Sequence, residues 1–147
     1  MTWDYIGRLR DITDQKIIVK GLVTAEDAHL AVRHGIDAVW VSNHGGRAEG
    51  DGRATIDALP EVAEAVGGRM PVIVDSGFRR GTDLFKGIAR GATAVAVGRP
   101  YLWGLGAFGQ EGVERALQIL TRALEIAMRA TGTPSSADIG PQSVGVD

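Results

Sequence analysis

Val39-Trp40-Val41-Ser42-Asn43-His44-Gly45-Gly46-Arg47 decides how this chain is read. Val39 to Val41 is an apolar run with the character of a buried strand, and it stops abruptly in polar side chains and two glycines. His44 and Arg47 therefore fall where a strand gives way to a loop. A histidine exchanges protons near neutral pH, and an arginine holds a carboxylate through two parallel hydrogen bonds. Gly45 and Gly46 let the backbone turn tightly and approach a ligand closely. A proton acceptor and an anion clamp so near each other suit chemistry on a small carboxylic acid. The same residues also fit a histidine that caps a turn and an arginine in a surface ion pair. The rest of the sequence decides between them.

Three further runs share this character: Ile17-Ile18-Val19, Val72-Ile73-Val74 and Ala94-Val95-Ala96-Val97. Short β-branched runs with little alternation belong to parallel strands covered on both faces. Helical patterns lie between them. Thr24-Ala25-Glu26-Asp27 is a capping signal opening a helix that runs to His34 and closes at Gly35. Thr55 to Val66 places Ile56, Leu59, Val62 and Val66 on one face before Gly67-Gly68, and Thr82 to Arg90 ends at Gly91. The spacing of Val113, Leu117, Leu120, Leu124 and Ala127 predicts the longest helix over Glu111–Ala130, and Trp3–Leu9 reads as a short one. The tail, residues 133–147, reads as irregular.

Strand and helix in alternation make parallel α/β architectures. Successive strands start about 20 to 35 residues apart, which brackets the roughly 30 residues per unit of a (β/α)8 barrel. Polar groups follow each strand: Lys20, Ser42-Asn43-His44, Asp75-Ser76-Gly77 and Gly98-Arg99. In parallel barrels that is the catalytic face. Four units make half a barrel, so residues 1–147 are expected to form a single partial α/β domain.

Bulk composition narrows the partners. Sixteen Lys and Arg stand against 18 Asp and Glu, a net charge of −2, which gives no reason to expect nucleic acid or an anionic membrane. No apolar run approaches bilayer length, and no basic segment followed by an apolar one opens the chain, so the expected compartment is cytoplasmic. Without cysteine there is no disulfide framework and no thiolate metal site. The 21 glycines cluster at segment ends, as tight strand–helix junctions require.

Two loops repeat one device. Gly77-Phe78-Arg79-Arg80-Gly81-Thr82 and Gly98-Arg99-Pro100 each follow a strand and open a helix, where backbone N–H groups and a nearby arginine bind anions. Turns with surface arginines are the plainer account of each. Barrel phosphate sites are often built from the loops after the last two strands. Lys20 ends an apolar strand, where its charge needs a partner: a structural carboxylate, or negative charge on a cofactor.

The ordered set Val19-Lys20-Gly21, Ser42-Asn43-His44-Gly45-Gly46-Arg47, Ala54-Thr55-Ile56-Asp57, Asp75-Ser76-Gly77-Phe78-Arg79-Arg80-Gly81-Thr82-Asp83, Gly98-Arg99-Pro100 and Trp103-Gly104 resembles the FMN-dependent α-hydroxy acid dehydrogenases and oxidases. These include glycolate oxidase, lactate dehydrogenase and mandelate dehydrogenase types. The resemblance runs from Thr2 to about Val144 and covers the C-terminal half of such proteins. It implies half of a (β/α)8 TIM barrel with FMN on its C-terminal face. His44 would then be the catalytic base and Arg47 the ligand of the substrate carboxylate. Lys20 would stabilise the reduced flavin, Ser42 would contact it, Asp75 would bind its ribityl chain, and Ser76 would be among the cofactor-binding residues. Gly77, Arg79, Gly98 and Arg99 would surround the phosphate. His29 and His34 are expected to be structural, and Tyr101 and Trp103 to serve packing.

Two departures from the family pattern accompany the match. Ala48-Glu49-Gly50-Asp51-Gly52-Arg53 stands where many members have a Gln-Leu-Asp-type segment near the substrate mouth, and Ser76 stands where glycine is frequent. The family's first half-barrel, which supplies pocket tyrosines and an aspartate that orients the base, has no counterpart here. The expected partners are a small α-hydroxy acid and either a second copy of the chain or an N-terminal half-barrel. Two rival readings are a non-catalytic half-barrel that binds phosphate or flavin, and another FMN-dependent barrel enzyme such as an isomerase.

Overall fold

A computed structural model describes residues 2–47, 50 and 52–145. Ala48, Glu49 and Asp51, which carry most of the departure at the substrate mouth, lie outside the described residues. The elements in order are α1 (Tyr5–Ile12), β1 (Ile18–Leu22), α2 (Ala25–Arg33), β2 (Ala38–Val41), α3 (Thr55–Val66), β3 (Val72–Val74), α4 (Gly81–Ala89), β4 (Ala94–Val95) and α5 (Arg99–Thr131). The four strands are parallel and lie in sequence order, β1-β2-β3-β4. This is four consecutive β/α units of a TIM barrel, with the free edges of β1 and β4 at either side.

The register divides the sheet into two faces. Val39 pairs with Val72 and Val41 with Val74, and all four are buried against Ala28 and Ala31 of α2 and Ala58, Leu59, Val62 and Val66 of α3. That is the hydrophobic core. The opposite face carries the row Lys20, Trp40, Ile73 and Ala94, one residue from each strand. It is the face that would line a barrel, and Ile18 on it is 47% exposed.

At the N-terminal ends of the strands, Asp37 takes an N–H from Ile17 at 2.8 Å and ion pairs from Arg10 and Lys16. The Ile17 N–H, reinforced by Arg10 and Lys16, holds the Asp37 carboxyl far below the usual carboxylate range. This cluster ties α1 and the starts of β1 and β2 together, at the end of the sheet away from His44. Trp3 stacks on His34 with ring centroids 5.6 Å apart, a structural role for that histidine.

Helix α5 begins earlier than the apolar spacing predicts. Its first stretch from Arg99 turns at Phe108 and Gly109, where the backbone leaves helical values, and the second runs to Thr131. The glycines that weaken helix propensity here allow close crossing: a Cβ on Gly104 would lie 2.3 Å from the Gly112 carbonyl oxygen. Strand β4 is shorter than its apolar run, although Ala96 N–H still bonds Val74 O at 2.8 Å. The tail carries two single 3-10 turns, Ser136–Asp138 and Pro141–Ser143, and Ile139 between them is buried with Phe85 and Ala89. Tyr101 and Trp103 are both exposed, and Arg79 lies over the Trp103 ring at 5.5 Å.

Candidate active site

The C-terminal ends of all four strands open on one cavity of about 270 Å³. Lys20, His44, Arg47, Asp75, Ser76, Gly77, Arg79, Gly98 and Arg99 all line it. Parallel strands in sequence order bring these residues together: all but Lys20 lie beyond the end of their strand, whereas Lys20, expected to end its strand, lies within β1 because pairing with β2 continues to Leu22. Ser42 is the exception: it is 1% exposed and stands behind the cavity wall.

Ser42 is nevertheless the centre of the polar network. Lys20 Nζ donates to Ser42 Oγ at 2.6 Å, and the His44 N–H donates to the same oxygen at 3.2 Å. Lys20 Nζ also lies 3.1 Å from Asp75 Oδ2, and Ser76 Oγ donates to Asp75 Oδ1 at 2.7 Å. Burial pushes the Asp75 carboxyl up, but hydrogen bonds from Ser42, Ser76 and Lys20 outweigh it and leave it below the usual carboxylate value. Lys20 therefore meets a structural carboxylate and still reaches the cavity, with its ammonium 5.3 Å from the Trp40 ring centroid. Both roles that its sequence position suggested are open to it at once.

His44 is held by its backbone. Its φ is 56°, one of two positive values outside glycine among the described residues, the other being Ser76 at 76°. Its ring packs over Gly21, where an added Cβ would lie 3.0 Å from His44 Cε1. Gly21 has φ 101° and marks the break in register between β1 and β2, so bare backbone makes room for the imidazole. The turn after it is braced by Asn43, whose Oδ1 accepts the Gly46 N–H at 2.9 Å. Arg47 is exposed, and its Nε donates to the His44 carbonyl at 3.2 Å. Arg47 and His44 both line the cavity.

The return of the loop is pinned as well. Asn43 Nδ2 donates to the Arg53 carbonyl at 3.2 Å, while Arg53 reaches Glu61 Oε2 at 2.7 Å and Val23 O at 3.1 Å. Arg53, together with the Ala25 N–H, lowers the Glu61 carboxyl below its ordinary value.

Two details of the anion loops were not visible in sequence. The N–H groups of Arg79 and Arg80 at the start of α4 are both taken by Asp83 Oδ2, each at 2.9 Å. Asp83 thus caps the N–H groups just before the helix, and the Arg79 side chain lines the cavity beside it. Among the described residues neither Arg79 nor Arg99 forms an ion pair. The second detail is Thr55, 1% exposed, whose Oγ1 donates to the Asp75 carbonyl at 2.5 Å and also reaches the Ser76 carbonyl at 3.2 Å. Its place at the start of α3 reads as an ordinary cap in sequence, and Ala54 is the cap in fact.

Comparison with known proteins agrees with this geometry. The family described as FMN-dependent dehydrogenase matches residues 1–146. A peroxisomal (S)-2-hydroxyacid oxidase of Arabidopsis thaliana is 49% identical over 94% of this chain and 38% of its own length. Glycolate oxidase of Spinacia oleracea is 44% identical over 100% of this chain and 40% of its own length. Among solved structures, a lactate oxidase of Pediococcus acidilactici superposes with a TM-score of 0.92 at 42% identity, over 95% of this chain and 39% of that one. A soluble mutant of the membrane-associated (S)-mandelate dehydrogenase of Pseudomonas putida gives 0.93 at 37% identity, over 99% and 41%. The chain thus spans about two fifths of the length of the curated relatives it matches. Over nearly its whole length, the chain belongs to the FMN-dependent dehydrogenase family.

Proposed function

We propose that this chain furnishes part of the active site of an FMN-dependent enzyme that oxidises a small α-hydroxy acid to the 2-oxo acid. One observation carries the reading: an imidazole, an ammonium and three guanidinium groups, from His44, Lys20, Arg47, Arg79 and Arg99, converge on a single cavity. A carboxylate substrate and a phosphorylated cofactor together call for that set of charges.

The residues fit FMN. Arg79 and Arg99 carry charges with no ion-pair partner among the described residues, as a phosphate dianion requires, and Gly77 and Gly98 beside them bring bare backbone to the cavity. In this reading Asp75 and Ser76 meet the polyol chain. Lys20, held by Ser42 and Asp75, presents a positive charge to the ring. FMN supplies a two-electron acceptor when bound. Arg47 grips the substrate carboxylate with its planar fork and so fixes the α-carbon beside His44. Oxidation breaks the α-C–H and O–H bonds and releases two electrons and two protons. A ring nitrogen of His44 is placed to take one of those protons.

The relatives' names mention glycolate, lactate and mandelate, and those three acids are the substrates to test. The free edges of β1 and β4 and the half-open row from Lys20 to Ala94 favour pairing with a second half-barrel, either another copy or an N-terminal half. They also support the second reading, a half-barrel that binds flavin without turnover. The compartment proposed remains cytoplasmic; the word peroxisomal belongs to the plant relative. Among the described residues no helix is long and apolar enough to cross a membrane. A visible absorbance spectrum followed by dye reduction with the three acids is the test. Flavin bands with turnover support the enzyme, flavin bands alone support the second reading, and absence of both overturns the proposal.

A further inference from the structure

We propose that Ser76 is a positioning residue whose hydroxyl couples the loop carrying His44 to the Lys20–Asp75 pair; its catalytic consequence rests on the function proposed above. Ser76 Oγ donates to Asp75 Oδ1 at 2.7 Å and accepts the Gly45 N–H at 3.2 Å. One oxygen thus joins the ends of β2 and β3 directly beneath the cavity. His44 and Ser76 are the two non-glycine residues with positive φ among those described, and this bridge links their loops. Such conformations are costly for side chains other than glycine and persist where the surroundings over-determine them. Here Thr55 Oγ1 reaches the Ser76 carbonyl at 3.2 Å and the two hydroxyl bonds complete the constraint. Glycine would adopt this backbone without strain, so the serine stands here at a local conformational cost. What it adds is the bridge. Without it the Gly45 N–H loses its partner, while the rest of the turn keeps the bonds of Ser42 Oγ and of the Asn43 side chain.

Two variants separate positioning from stability. Ser76→Gly removes the hydroxyl and relieves the backbone, whereas Ser76→Ala removes the hydroxyl and keeps the strain. Hydrogen exchange at the Gly45 amide should quicken by about two- to tenfold in both, the loss of one hydrogen bond. At saturating FMN, the rate of flavin reduction by an α-hydroxy acid should fall by the same factor in both, about ten- to hundredfold, with the change in kcat rather than KM. Melting temperatures should differ, with the glycine variant the higher. Reduction rates that follow melting temperature, or an unchanged Gly45 amide, would overturn the proposal. If the parent protein, completed by its N-terminal half-barrel, shows no flavin reduction, the enzymatic reading fails, and the Gly45 amide still decides whether the bridge exists.

Discussion

Gly21→Ala perturbs the proton acceptor from behind, without replacing a residue that lines the cavity. The added Cβ would lie 3.0 Å from His44 Cε1, against about 3.5–4.0 Å for carbon atoms at rest. The imidazole must therefore retreat by about 0.5–1 Å. The backbone adds a second penalty, because φ at Gly21 is 101°, beyond the left-handed well that side chains tolerate. Left-handed backbone costs an L-residue about 1–2 kcal/mol. For a domain of this size that lowers the melting temperature by about 2–8 °C. Displacement of a reacting group by 1 Å costs on the order of 10²-fold in rate. Circular dichroism melting and anaerobic flavin bleaching by an α-hydroxy acid read the two effects separately. A lowered melting temperature with bleaching at the parent rate would refute the reasoning, because the ring over Gly21 would then not be the one that takes the proton.

Further expectations follow from the anion loops and the half-buried carboxylate of Asp75. Arg79→Ala and Arg99→Ala should each weaken FMN binding by about ten- to hundredfold, the value of a charge-assisted hydrogen bond. Riboflavin, which lacks the phosphate, should bind both variants as it binds the parent, and quenching of flavin fluorescence measures all of these; equal losses for the two flavins would place the phosphate elsewhere. Asp75 has its carboxyl held below the ordinary value in the folded state. Its stabilising contribution is therefore complete above the unfolded carboxylate pKa, about 3.9, and is lost as pH falls through the lower folded value. Urea unfolding should show the gap between parent and Asp75→Asn widest near neutral pH and closing under acid; a gap that widens under acid would contradict the assignment.

The strands and their polar ends were legible because each is local. Val39–Val41 and Val72–Val74 announce themselves by composition, and His44, Arg47, Arg79 and Arg99 by standing just past a strand. What links them was not legible, since it depends on which strands are neighbours and in what register. Nothing in the sequence around Ser42 says that its hydroxyl receives Lys20 and the His44 N–H; pairing of β1 with β2 creates that contact. Nor does the sequence say that the Asp83 carboxylate takes the N–H groups of Arg79 and Arg80. The early start of α5 was hidden for a different reason. Gly104, Gly106, Gly109 and Gly112 argue against helix by propensity, while Gly104 and Gly112 are there so that two helical stretches can cross in contact. The burial of Ile139 depends on α4, about fifty residues earlier in the chain, which no local pattern reveals.

The central claim is that His44 takes a proton from an α-hydroxy acid held in this cavity beside FMN. Rapid mixing of the FMN-loaded protein with substrate, without oxygen, tests it most directly when the parent is compared with His44→Gln. The account predicts that the variant retains its flavin spectrum while bleaching slows by about 10²–10⁴-fold. Bleaching of the variant at the parent rate, with the flavin still bound, would contradict it.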